Sequence, residues 1–121
     1  MEIKYQFAHE SDTLLGKFEH EWHRNFGYAD RILDRFPTDV PSDMIELHSV
    51  MEETSNCFVI CRDIAGCVDD VNDLRRQIGQ RLTEAKIRHL RSVPGNEQVR
   101  WRTRVDLYTE AFTRIVEAMG A

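Results

Sequence analysis

The residues whose type and spacing come nearest to a chemical site are cysteines and histidines. Cys57 and Cys61 stand four apart, stacked on one face if the segment is helical, with Cys67 a turn and a half further on. Paired thiolates bind soft metals, but a closed zinc site takes about four ligands, normally in short C-x2–4-C pairs brought together by turns. Here both thiols fall on an apolar seam, where cysteine behaves as a small hydrophobe. We read them as packing rather than as a metal or redox pair. His20-Glu21-Trp22-His23 resembles a metalloprotease helix only superficially, because that motif needs histidines four apart and Arg24 stands where the second would be. The spacing of three could still hold a metal, as could His48 with Glu52 at i, i+4. No Glu-x-x-His pair of the di-iron type occurs. His20 lies opposite the Leu15/Phe18/Trp22 face, so a solvated helix surface is the expectation, and a metal-binding bundle through His20, His23, His48 and nearby acids ranks third.

No Gly-rich phosphate loop, no G-x-S-x-G elbow and no acid pair singled out by an apolar setting is present. We therefore name no catalytic residue, cofactor, metal ligand or small-molecule substrate. Charge is more informative. Residues 1–73 carry six Lys/Arg against sixteen Asp/Glu, whereas residues 74–121 carry ten against five. The chain is electrically two-ended, which suggests an anionic partner for one end or a second copy meeting head to tail. Arg81, Arg88, Arg91, Arg100 and Arg104 flank the turn at Pro94-Gly95-Asn96 as a basic hairpin, and guanidinium groups suit carboxylate and phosphate through their planar fork of donors. Glu52, Asp69, Asp70 and Asp73 form a corresponding acidic surface near the middle of the chain.

The elements that would position these groups are helical. From Ser42 to Val93 an apolar seam recurs in steps of three and four: Leu47, Val50, Thr54, Cys57, Cys61, Ile64, Val68, Val71, Ile78 and Leu82, with Leu74 filling the longer step. A flanking helix precedes it, capped at Ser11-Asp12, with Leu15, Phe18, Trp22, Phe26, Ala29, Leu33 and Phe36 on one face and Pro37 as terminator. Gly27 predicts a kink or short break there, with Asp30 restarting the helix. The last helix, about 97–119, carries Trp101, Val105, Tyr108, Phe112, Ile115 and Met119 on one face. At the start, Ile3, Tyr5 and Phe7 alternate with polar residues, which predicts an extended arm over residues 2–8 laid on the bundle, or an edge that pairs with another chain.

Gly66 decides the architecture. A cut there makes four near-equal helices and an up-and-down bundle. The segment around it otherwise lacks turn chemistry, and the seam stays in phase across it, so the pattern favours a continuous central helix over about 42–93, roughly 75 Å long. Such a spine outreaches either flanking helix, and a homodimer with coiled-coil pairing of spines would cover it. At 41% apolar and 31% charged residues, 121 residues suit one all-α domain. The absence of a long apolar run or leader-like start points to the cytoplasm, away from membranes, with the odd number of cysteines reduced. The function expected is binding of another macromolecule, as a regulator, inhibitor or assembly adaptor. The alternative is a nucleic-acid accessory protein using residues 81–104, although a pI near 5.5 weighs against it.

Overall fold

A computed structural model describes residues 5–33 and 42–120, with side chains for 5–29 and 45–120. Ile3, Pro37 and Pro41, on which parts of the sequence reading rest, lie outside the described residues. Four helices make up the described bundle: α1 (Leu14–Leu33), α2 (Ser42–Cys67), α3 (Val71–Arg91) and α4 (Asn96–Gly120). The expected all-α architecture is what forms, but the continuous spine does not. Helix α2 ends at Cys67 and α3 begins at Val71. The cause is Asp70, whose backbone is extended (φ −139°, ψ 139°) and whose carboxylate accepts the Asn72 N–H at 2.9 Å, giving an orphan donor of the new helix its partner. Asp73 then lies in the first turn, at the positive end of the dipole. The seam conceals the break because Val68 is buried within the connection itself, and Leu74 and Ile78 resume burial one turn later.

Gly66 is therefore not the breaking point. It sits inside the last turn of α2, and a Cβ there would meet the Glu19 Oε2 and the Tyr5 hydroxyl, each at 2.9 Å. Its lack of a side chain admits a neighbour rather than a turn. Two expectations for α1 also need correction. Thr13, not Ser11, caps it, its Oγ1 accepting the Gly16 N–H at 3.0 Å. Gly27 interrupts nothing, because the helix runs unbroken to Leu33. The turn at Pro94-Gly95-Asn96 forms as expected. Gly95 takes a φ of +116°, open to glycine at little cost, and the Glu97 carboxylate reaches back to the Val93 N–H at 3.3 Å.

In packing, α2 lies against α1 on one side and α4 on the other, α3 covers α4, and α2 touches α3 sparsely. Trp22, Cys57, Cys61, Leu74, Ile78, Tyr108 and Ile115 fill the space between them. The core-facing residues of each helix thus find their cover within one chain, and paired spines are not needed to bury them. If Asp70 sets the break, Asp70→Ala should lower the stability of the protein by about 1 kcal/mol in denaturant melts. The exposed Asp69→Ala should stay within about 0.5 kcal/mol of wild type.

Candidate functional site

Arg100 and Arg104, two of the five basic candidates, are used inside the fold. Spaced four apart on α4, both reach one carboxylate: Arg100 Nη1 lies 2.9 Å from Glu53 Oε1, and Arg104 Nε 2.6 Å from Glu53 Oε2. Glu53 is only 5% exposed, between Val50 and Cys57 on the face of α2 that turns to α4. Arg100 also pairs with Glu52 at 3.4 Å, Arg102 with Glu46 at 3.8 Å, and the Arg104 guanidinium covers the Trp101 ring at 4.8 Å. Burial alone would lower the pKa of each arginine, but the Glu53 hydrogen bonds outweigh it and hold both above the ordinary value. The pair keeps its charges and joins α2 to α4.

The acidic candidates dissolve similarly into local roles. Glu52 serves Arg100 and approaches His48 at 4.0 Å, Asp70 caps α3, and Asp73 pairs with Arg76 at 3.3 Å. Asp69 is exposed beside them.

A second buried acid organises the arm. Glu19 is wholly buried on α1, between Leu15 and Trp22, and its carboxylate accepts the Tyr5 hydroxyl at 2.7 Å, the Ala8 N–H at 2.9 Å and the His9 N–H at 3.0 Å. His9 Nε2–H donates to the Val68 carbonyl at 2.8 Å, satisfying a group freed by the end of α2. Phe7 stacks on His20 with centroids 3.5 Å apart, Tyr5 stacks on His23 at 5.1 Å, and the Arg62 guanidinium lies over Tyr5 at 4.1 Å while reaching His23 Nδ1 at 3.1 Å. The described part of the arm is therefore laid on the bundle, as one of the two expectations had it. His20 and His23 are covered by it rather than forming a solvated surface. Burial and the neighbouring Arg62 lower the His23 pKa, so its ring is neutral and accepts.

The thiols Cys57 and Cys61 are buried, which raises both pKa values, that of Cys57 to about 12, and leaves them poor nucleophiles and metal ligands. Among the described residues no three His, Cys, Asp or Glu side chains converge closely enough to hold a metal ion.

What remains open is the outer face of α3. A shallow groove of about 670 Å³ runs along it, lined by Gly79, Thr83, Ile87 and Phe112 and rimmed by Arg76 and Arg88. Gly79 lets the Phe112 ring approach the backbone, since a Cβ would stand 3.2 Å from Phe112 Cε2. Ile87 is 44% exposed, Leu90 85% and Val93 65%. Arg76 pairs with Asp73 and Arg88 with Glu84 at 3.7 Å, whereas Arg75, Arg81, Lys86 and Arg91 face no acid among the described residues. Of the basic candidates, Arg81, Arg88 and Arg91 thus share this exposed helix, and Arg100 and Arg104 do not.

Comparison with protein-family models, with curated proteins and with solved structures returned no match.

The sequence reading did not single out Glu19, Glu53, His9 and Arg62 as site residues, and it took Tyr5 only as part of the arm's alternation. A signal for two of them existed: Glu19 stands i+4 from Leu15 and i−3 from Trp22, and Glu53 i+3 from Val50 and i−4 from Cys57. An acid inside an apolar stripe must find partners, because an unpaired buried charge is too costly to keep.

Two predictions follow from the buried acids. Glu53→Ala leaves two half-buried guanidinium groups without their carboxylate and should cost about 2–4 kcal/mol, whereas Arg102→Ala should cost under about 0.5 kcal/mol, both read from denaturant melts. For Glu19, burial pushes the pKa up, but the hydrogen bonds from Ala8, Tyr5 and His9 prevail and hold it below the ordinary 4.5. Its contribution is thus fully present above that value and drains away as pH falls through the lowered one. Amide exchange at Ala8 and His9 should stay slow near neutrality and, after correction for the intrinsic rate, lose protection only in acid. Glu19→Gln should reduce that protection at neutral pH.

Proposed function

We propose that the protein is a non-catalytic recognition module that binds another protein through the outer face of α3, and that it works in a reducing compartment such as the cytoplasm. The observation that carries this reading is the coincidence, on one helix, of an open apolar groove with cations that the fold leaves unpaired. A cation used only for solubility has no need of an adjacent apolar floor. Exposed apolar side chains without neighbouring charge would, in turn, invite unselective association. Helix α3 carries six Lys/Arg against Asp73 and Glu84, in a chain whose net charge is −5. Long-range attraction would therefore be confined to this side of the bundle, which favours oriented encounter with an acidic protein surface. The buried thiols argue for reducing surroundings only in that none is tied up in a disulfide.

The role is that of a regulator, inhibitor or adaptor: a rigid four-helix body presenting one recognition surface. Nucleic acid is a weaker candidate, because the Arg100 and Arg104 guanidinium groups that would extend the basic hairpin are already committed to Glu53.

A pull-down from native lysate, with and without nuclease, tests the reading when wild type is run beside Lys86→Glu/Arg91→Glu. Both residues are exposed, so the variant should melt as wild type does. The expected result is a protein partner that survives nuclease on wild type and is depleted at least tenfold on the variant. Capture that ignores the charge reversal, or that disappears with nuclease, would overturn it.

A further inference from the structure

We infer that residues 5–9 form a proton-operated strap: a proton taken up by His23 in mildly acidic surroundings loosens the arm from α1 and α2 while the four helices stay folded. The strap lies apart from the α3 face and does not depend on it.

The His23 ring is built into the docked arm. Its Nδ1 accepts an N–H from Arg62 at 3.1 Å, its face stacks on Tyr5 with centroids 5.1 Å apart, and Phe7 meets it edge-on at 5.1 Å. Only a neutral ring, with its proton on Nε2, can accept there. A second proton would go to Nδ1, the atom that holds Arg62, and would set an N–H and a positive charge against a guanidinium. Arg62 has little room to step aside: its side chain is 11% exposed, paired with Asp63 at 3.0 Å and laid over the Tyr5 ring at 4.1 Å. Displacing it disturbs Tyr5, one of the three donors that fasten the arm to Glu19.

Among the described residues, the titratable and charged groups that face His23 are Tyr5 of the arm, Glu19 and His20 of α1, and Arg62 of α2, with Asp63 behind Arg62. Asp63 is engaged by Arg62, which leaves Glu19 as the acid that would welcome the proton. Both of its oxygens are occupied, Oε2 by Tyr5 and Ala8 and Oε1 by His9. Turning that carboxylate toward a charged His23, one turn along α1, would draw it away from those donors. Repulsion of Arg62 and recruitment of Glu19 therefore weaken the same fastening.

The direction of the pH dependence follows from linkage. With the arm docked, burial, Arg62 and His20 hold His23 below its ordinary 6.5, Glu19 opposing them. Lifting the arm wets the ring and frees Arg62, so the undocked state binds the proton more tightly. Docking is fully favoured above 6.5, weakens as pH falls from there to the lowered value, and levels off below it. Protonation of Glu19 adds its own loss lower on the scale, from 4.5 downward.

The test follows the intact protein by NMR between about pH 7.5 and 5. Ring C–H shifts of His23 report its proton, and exchange of the Ala8 and His9 amides, corrected for the intrinsic rate, reports the arm. Protection of both amides should fall several-fold along the same curve as the His23 titration, with the core amides of Cys61 and Ile115 unchanged. His23→Gln, whose side-chain carbonyl can still accept from Arg62 but takes up no proton, should hold arm protection level over this range. Arg62→Gln should move the His23 midpoint up toward 6.5 and make the loss shallower. The wild-type coincidence and Arg62→Gln keep the test decisive should His23→Gln fail to fold. Arm protection that stays flat in wild type, or falls equally in His23→Gln, would remove His23 as the sensor. Core amides that lose protection in step with the arm would make the event acid unfolding of the whole bundle and refute the strap. A His23 midpoint unmoved by Arg62→Gln would break the coupling on which the inference stands.

Discussion

Most of this architecture hangs on the carboxylate of Glu53. It sits at a buried position of α2 and takes hydrogen bonds from two guanidinium groups of α4 at 2.9 and 2.6 Å. Because a buried acid without counter-charges is far costlier than one with them, α2 and α4 are held in a single register, parallel to each other, with Cys57 alongside Tyr108. Helices α1 and α3 then have defined surfaces to cover. The same contact divides the basic half of the chain into two populations. Cations on α4 are absorbed into the helix–helix interface, while those of α3 stay at the surface. The division follows from reach: Arg100 and Arg104 are one turn apart on the face that meets α2, whereas the cations of α3 reach no acid of α2 among the described residues.

Glu19 repeats the device near the start of α1, with backbone amides and the Tyr5 hydroxyl in place of arginines. Three donors from residues 5 to 9 converge on its carboxylate, and Gly66 leaves the space for them. A short arm that buries little apolar area would not stay ordered on that account alone, since ordering costs roughly 1–2 kcal/mol per residue. A buried carboxylate with no other partners among the described residues makes arm docking a condition of burying α1 properly, so the arm belongs to the fold. It also takes over the two histidines that a sequence-level search for metal ligands would select.

Together these contacts account for what is left exposed. The bundle engages Glu19 and Glu53, His9, His20 and His23 and the arginines of α4 internally, and it buries Cys57 and Cys61. The outer side of α3 combines unpaired cations with Ile87 and Leu90, for which nothing described in the chain supplies a counterpart. That contrast, rather than the overall charge, is what supports the proposal of α3 as a docking surface.

Read by itself, the sequence determined the helical class, the faces that bury Leu15, Phe18 and Trp22 on α1 and Tyr108 and Ile115 on α4, the turn at Gly95 and the burial of Cys57 and Cys61. Those features follow from local chemistry and from the 3.6-residue period, which each segment carries within itself. Tertiary structure decided the rest. Hydrophobic periodicity does not register a break when a buried residue such as Val68 occupies the connection, so the end of α2 was settled by the capping carboxylate of Asp70. Whether Arg100 faced solvent or Glu53, and whether Gly66 served as a turn or as a recess for Tyr5 and Glu19, depended on residues tens of positions away. Pairing across such separations is set by how the helices pack, and no spacing rule within one helix encodes it.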